Sequence, residues 1–224
     1  MEKKKKVVII HTSFVSVEAL NDLFKEIIPE IEVRNIVDDS LLPEAIANEG
    51  ITSGIVRRIT AYAQQAEDWG ADVILNQCSS VGEAADIAAQ AIHIPYIKVD
   101  QAMAEKAVQL GTRIAVIATV ASTLPPSCRL VEAAAQGLGK QVQVIGYLVD
   151  GALDILMKEK NREKHNQLVR EKIEGLINEV DVVVLAQGSM IVLLPELQHI
   201  TKPVLTSPRL GVERIREILG TQRN

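Results

Sequence analysis

The sequence predicts an α/β protein of two similar lobes, each a parallel sheet with helices on both faces. Three observations carry that expectation. Apolar runs of strand length alternate with amphipathic stretches of helix length, which is the rhythm of βαβ units. The first such run, Val7 to Ile10, shows no polar alternation, as a strand buried on both faces requires. The strands of the first half recur in the second at a nearly constant spacing.

Taken in order, Val7 to Ile10 is the first strand, and Leu20, Phe24, Ile27 and Ile28 form a helix stripe behind it. EVRNIV, Glu32 to Val37, is the second strand. Ile55, Ile59, Tyr62 and Ala66 mark a longer helix, with Thr52 placed to cap its start. DVILNQC, Asp72 to Cys78, is the third strand and PYIKV, Pro95 to Val99, the fourth, with an alanine-rich helix between them. Strand IAVIA at Ile114 answers Val7 (114 − 7 = 107), and Val142 in VQVIG answers Val33 (142 − 33 = 109). Asp181 before VVVL answers Asp72 (181 − 72 = 109), and Pro203 in KPVL answers Pro95 (203 − 95 = 108). The offset divides the chain into an N-terminal α/β lobe, 1–100, and a C-terminal α/β lobe, 101–224. The C-terminal helix is a candidate to join the first. No linker rich in Pro, Gly or Ser separates the lobes, so they are expected to pack tightly around a cleft at the carboxyl ends of their strands.

Composition narrows the function classes. The chain has 224 residues, 47% apolar and 24% charged, which suits a globular fold with a core of its own. A net charge of −5 and 3% aromatic residues suit neither a phosphate backbone nor base stacking, so no nucleic-acid partner is expected. Two cysteines cannot form a disulfide framework. The lysine run of MEKKKK reads as a solvated tail, and the apolar stretch after it is too short for a signal peptide. The charge-free stretch Val182 to Pro195 falls short of a membrane span. These readings predict a soluble, cytoplasmic protein with reduced thiols and no membrane partner.

In parallel sheets function gathers just after each strand. Those positions hold His11, Thr12 and Ser13 in the first strand and Gln77, Cys78, Ser79 and Ser80 in the third. In the second half they hold Thr119, Ser122 and Thr123, then Gln187, Gly188 and Ser189, then Thr206 and Ser207. Small hydroxyl residues at helix starts can hold a carboxylate, or can simply cap the helix; Ser80 with Glu83 fits a capping box. Cys78 is the reactive candidate, because a helix N-terminus after it would lower its thiol pKa. Cys128 lies within a helical segment and reads as packing. His11, His93, His165 and His199 show no metal-ligand spacing, and His165 is expected at the surface or boundary of its helix. There is no GxGxxG after a strand and no phosphate-binding GxxxxGK[ST]. GLGK at Gly137 reads as a helix-end turn.

The segment NQCSS, with Cys78 followed by small polar residues, resembles the first cysteine motif of the aspartate/glutamate/hydantoin racemase superfamily. LAQGSM resembles its second motif, in the hydantoin-racemase form that ends in Gly-Met, and IAVIATVASTLPPSCRLVE resembles its second-lobe opening. The resemblance implies two Rossmann-like lobes related by a pseudo-two-fold, with the active site in the cleft between them. It implies cofactor-independent racemisation or isomerisation at the α-carbon of a small carboxylic or amino acid by a homodimer. In the family two thiols flank the substrate carbon. Here Cys78 carries over, but Gln187 stands at the second position, and 187 − 78 = 109 is again the half-repeat. An amide can donate and accept hydrogen bonds but cannot serve as an acid–base group near pH 7. The alternatives are therefore a one-thiol decarboxylase, lyase or cis–trans isomerase, or a non-catalytic small-acid binding protein. The expected substrate contacts are His11, Thr12, Ser13, Ser79, Ser80, Thr119, Ser122, Thr123, Gly188 and Ser189.

Overall fold

The computed structural model describes residues 4–220. The strands are β1 (Lys6–His11), β2 (Glu32–Val37), β3 (Val73–Asn76), β4 (Tyr96–Lys98), β5 (Arg113–Ala118), β6 (Gln143–Leu148), β7 (Val182–Leu185) and β8 (Val204–Thr206). They form two four-stranded sheets ordered β2-β1-β3-β4 and β6-β5-β7-β8, parallel at every pairing. The helices are α1 (Val17–Ile27), α2 (Leu41–Ala47), α3 (Ser53–Asp68), α4 (Gly82–Ala88), α5 (Gln101–Leu110), α6 (Leu124–Gly137), α7 (Ala152–Met157), α8 (Arg162–Leu176) and α9 (Ser207–Leu219). The expected α/β class of two parallel sheets is the one observed.

The chain forms two compact units. One holds the chain to Asp100 and from Pro208 onward, and the other is Gln101–Ser207. In the first unit Val8, Ile10 and Ile74 pack with Ile55, Ile59, Ala63 and Ala66 of α3 and Ala84 and Ala88 of α4. Alternate residues of the same strands, Val7, Ile9, Val73 and Leu75, pack with Leu20 and Phe24 of α1 and Val212 and Ile215 of α9. The period-two alternation of a strand thus serves two apolar faces at once. Thr52 caps α3 by accepting a hydrogen bond from the N–H of Ile55 at 3.1 Å. α9 belongs to the first unit although the chain reaches it from β8. Its Gly211 is required there, because a Cβ would come within 2.7 Å of the carbonyl oxygen of Val99.

In the second unit Ala115, Ile117, Val183 and Leu185 pack with Ala152 of α7 and Val169 and Ile173 of α8. His165 on α8 is 6% exposed, which corrects the expected surface position. The helix turns it inward on the same stripe as Val169. Gly139, with φ 63°, ends the turn after α6.

The repeat extends to individual hydrogen bonds. Asp72 accepts from the Lys6 N–H at 2.7 Å, and Asp181 accepts from the Arg113 N–H at 2.8 Å, each at the head of its sheet's first strand. The Pro95 carbonyl accepts from Ile74 N–H and the Pro203 carbonyl from Val183 N–H, both at 2.9 Å. Of the lysine run, Lys3 lies outside the described residues. Lys5 and Lys6 are not a free tail, since their ammonium groups reach Asp72 and the Trp69 carbonyl.

Candidate active site

After β3 the chain passes through Gln77 and Cys78 into a 3₁₀ turn, Ser79–Val81, and then α4. Ile10 stands opposite Asn76 in the β1–β3 ladder. Thr12 and Cys78 therefore lie two residues beyond the same rung and on the same sheet face. The thiol hydrogen-bonds with the Thr12 hydroxyl, the Ser80 N–H and the Ser80 hydroxyl. Asn76 braces the turn by donating from Nδ2 to the Cys78 carbonyl at 2.9 Å.

Burial pushes the Cys78 thiol pKa up, and the charge of Asp100 adds to the rise. The bonds from Thr12 and Ser80 oppose it without offsetting it. This corrects the expectation of a lowered pKa. A short 3₁₀ turn, not an α-helix, follows Cys78, so the aligned dipole beneath the thiol is small. α4 has Val81 at its N-cap, and Ser80 is turned onto the thiol.

Asp100 was not singled out from the sequence. It follows β4, is 3% exposed, and accepts a hydrogen bond from the Ser79 hydroxyl through Oδ2. Burial pushes its carboxyl pKa up, against the Ser79 bond, its own backbone N–H and Lys98; Asp86 adds to the rise. An acid in a loop reads as solvated, and only β4 lying next to β3 brings this one behind Ser79.

His11 is fully buried on the opposite face, with Val7 and Ile9. Asn35 donates from Nδ2 to Asn21, so its Oδ1 accepts from His11 Nε2 at 2.9 Å. His11 Nδ1 is then the acceptor facing the Ser16 hydroxyl at 3.5 Å. Burial pushes the His11 pKa down, outweighing the Asn35 bond. The structure therefore does not bring His11 together with Cys78. Ser13 is half-buried beside Thr12.

In the second unit Thr119, Ser122 and Thr123 follow β5, and Gln187, Gly188 and Ser189 follow its neighbour β7. Ser122 and Thr123 are buried and Ser189 is exposed. Thr123 makes no side-chain cap for α6. The Thr119 N–H donates to Gln187 Oε1 at 3.2 Å. A backbone N–H only donates, so this contact fixes the amide's orientation. Gln187 Nε2 is then a buried donor with no hydrogen-bond partner. Cys128 in α6 is half-buried beside Gly146, where a Cβ would stand 3.0 Å from its sulfur. Burial raises its pKa as well. Among the described residues no group of three His, Cys, Asp or Glu side chains could hold a metal ion. No described helix is long and apolar enough to cross a membrane.

The family model for Asp/Glu/Hydantoin racemase matches residues 6–215. The chain belongs to that racemase family, as the motifs around Cys78 and Gln187 led us to expect, and the enzyme class agrees. Among solved structures it is similar to a provisionally assigned Asp/Glu racemase from Yersinia pestis. Identity there is 16% and the TM-score 0.76, over 96% of this chain and 99% of that one. It is similar to the aspartate racemase of Picrophilus torridus at 20% identity and TM-score 0.68, over 98% of this chain and 96% of that one. A Gly-to-Cys mutant of arylmalonate decarboxylase matches at 14% identity and TM-score 0.60, over 98% of this chain and 95% of that one. These three likenesses are of fold. A search of curated proteins found no match.

Proposed function

We propose that the protein is a cofactor-independent enzyme acting at the α-carbon of a small carboxylic or amino acid, with Cys78 as acid/base or nucleophile. The observation that carries this reading is the thiol after β3, gripped by Thr12 and Ser80, in a chain of this family. As base, the Cys78 thiolate takes the α-proton, and the C–H electron pair moves into the carboxyl group to give an enolate. Gln187, whose Nε2 is a buried donor with no partner among the described residues, keeps its proposed part as a hydrogen-bond donor to developing negative charge. Thr12, Ser13, Ser79, Ser80, Thr119, Ser122, Thr123, Gly188 and Ser189 remain the proposed substrate contacts. His11 leaves the set because both its ring nitrogens are engaged with Asn35 and Ser16. The protein is further proposed to be a cytoplasmic homodimer.

Gln187 favours a second reading, in which the single thiol serves decarboxylation, elimination or isomerisation, or the protein binds a small acid without turnover. Incubation with a panel of small carboxylic and amino acids in D₂O, followed by NMR and chiral chromatography, tests both. Deuterium at the α-carbon in the wild type and not in Cys78→Ala is the expected result. Loss of CO₂ would move the assignment to decarboxylase. Binding without exchange or mass change would remove the enzymatic reading.

A further inference from the structure

Buried Asp100 pairs with half-buried Ser79, and the proposed chemistry gives Asp100 no part. The Ser79 hydroxyl donates to Asp100, and Ser79 opens the 3₁₀ turn whose next residue, Ser80, turns its N–H and hydroxyl onto the thiol. A carboxylate 3% exposed is uncommon unless something holds it. Here the Ser79 hydroxyl and the backbone N–H of Asp100 do so, with Lys98 as the nearby cation. Lys98 is itself paired with Asp86 at 2.7 Å. The half-repeat has no acid at the matching position: by the β3–β4 and β7–β8 registers Asp100 corresponds to Pro208.

We infer that Asp100 is a positioning residue for Cys78, holding the Ser79–Val81 turn through Ser79 and setting its carboxylate among the groups that bear on the thiol. This deepens the proposed function and rests on its reading of Cys78 as the reactive group. The groups bearing on the thiol are Thr12 from β1, Ser80 from its own turn and Asp100 from the end of β4. Those bearing on Asp100 are Ser79, Lys98 and Asp86. Asp100→Asn removes the charge but keeps a side-chain oxygen that can accept from the Ser79 hydroxyl, so the turn is held while the like charge is lost and the thiol ionises more readily.

The test needs no substrate, so it stands apart from the success or failure of any turnover assay. In a Cys128→Ser background Cys78 is the only thiol, and its alkylation by iodoacetamide is followed against pH. Asp100→Asn is expected to move the midpoint of that profile to lower pH, as the loss of a like charge requires. Asp100→Glu, which keeps the charge, should return it toward the wild-type value. A profile for folded Asp100→Asn that superimposes on the wild type would overturn the charge role. Ser79→Ala covers the case in which Asp100→Asn fails to fold. Hydrogen exchange at the Ser80 and Val81 amides should speed up severalfold, and unchanged exchange there would overturn the holding role.

Discussion

In the first unit the residue two places past β3 is a thiol held by a threonine from the neighbouring strand; in the second, the residue two places past β7 is an amide held by the matching threonine. Thr12 uses its hydroxyl and Thr119 its backbone N–H, but the pairing of positions is the same. The scaffolds agree closely, down to the carboxylates at the strand heads and the proline carbonyls just before β4 and β8. The strand tips do not agree. Cys78 faces Gln187 in the alignment of the halves, His11 faces Ala118, and Asp100 faces Pro208. A repeated backbone sets where a reactive group can stand. Which group stands there is chosen separately in each half, so the repeated scaffold carries different side chains at its strand tips.

The sharpest way to break that asymmetry is to install the missing thiol. Gln187→Cys should raise inversion of the substrate's α-carbon relative to deuterium exchange, and Cys78→Ala added to it should remove both. One positioned acid–base group contributes about 10²–10⁴-fold, and a misplacement of about 1 Å can cost about 10²-fold of it. Wild-type inversion as fast as exchange, followed by chiral chromatography, would mean that another group already does the second thiol's work.

The units can also be compared through their glycines. Gly211→Ala drives a Cβ against the backbone of Val99 and should cost about 1–3 kcal/mol in urea unfolding, because backbone cannot yield cheaply. Gly175→Ala on α8 meets nothing within 4 Å and should stabilise by about 0.5–1 kcal/mol. Destabilisation by Gly175→Ala would mean that α8 packs more closely than described.

A smaller effect sharpens the account of the thiol. Thr12→Val keeps the side chain's shape and removes a hydrogen bond that lowers the Cys78 pKa. The alkylation profile should therefore move to higher pH, opposite in sign to Asp100→Asn. A shift to lower pH would mean that the Thr12 hydroxyl does not favour the thiolate.

The smallest effect is at the head of the second sheet. Backbone N–H groups of Arg113 and Thr112 hold the Asp181 carboxyl below its ordinary pKa. A group with a depressed folded pKa contributes stability that is present above its unfolded pKa and is lost as pH falls through the folded one. Asp181→Asn should lower the melting temperature slightly at neutral pH, and the gap should close in acid. A gap that persists in acid would assign the loss to packing.

Much of this was legible in the sequence. The span of β2, the Thr52 cap and the strand-end placement of Cys78 and Gln187 are fixed by local periodicity and residue type. Those depend on neighbours a few positions away. What only the tertiary structure decided depends on neighbours distant in sequence. α9 leaves β8 and completes the first unit, because Val212 and Ile215 find their apolar partners on β1 and β3. His11 is turned from the thiol by strand alternation and held by Asn35. Asp100 becomes a buried partner of Ser79 because β4 lies beside β3. The direction of the Cys78 pKa was misread for the same reason. The sequence places a thiol before a helix, but ionisation is governed by burial and by Thr12, Ser80 and Asp100, which only the folded sheet assembles.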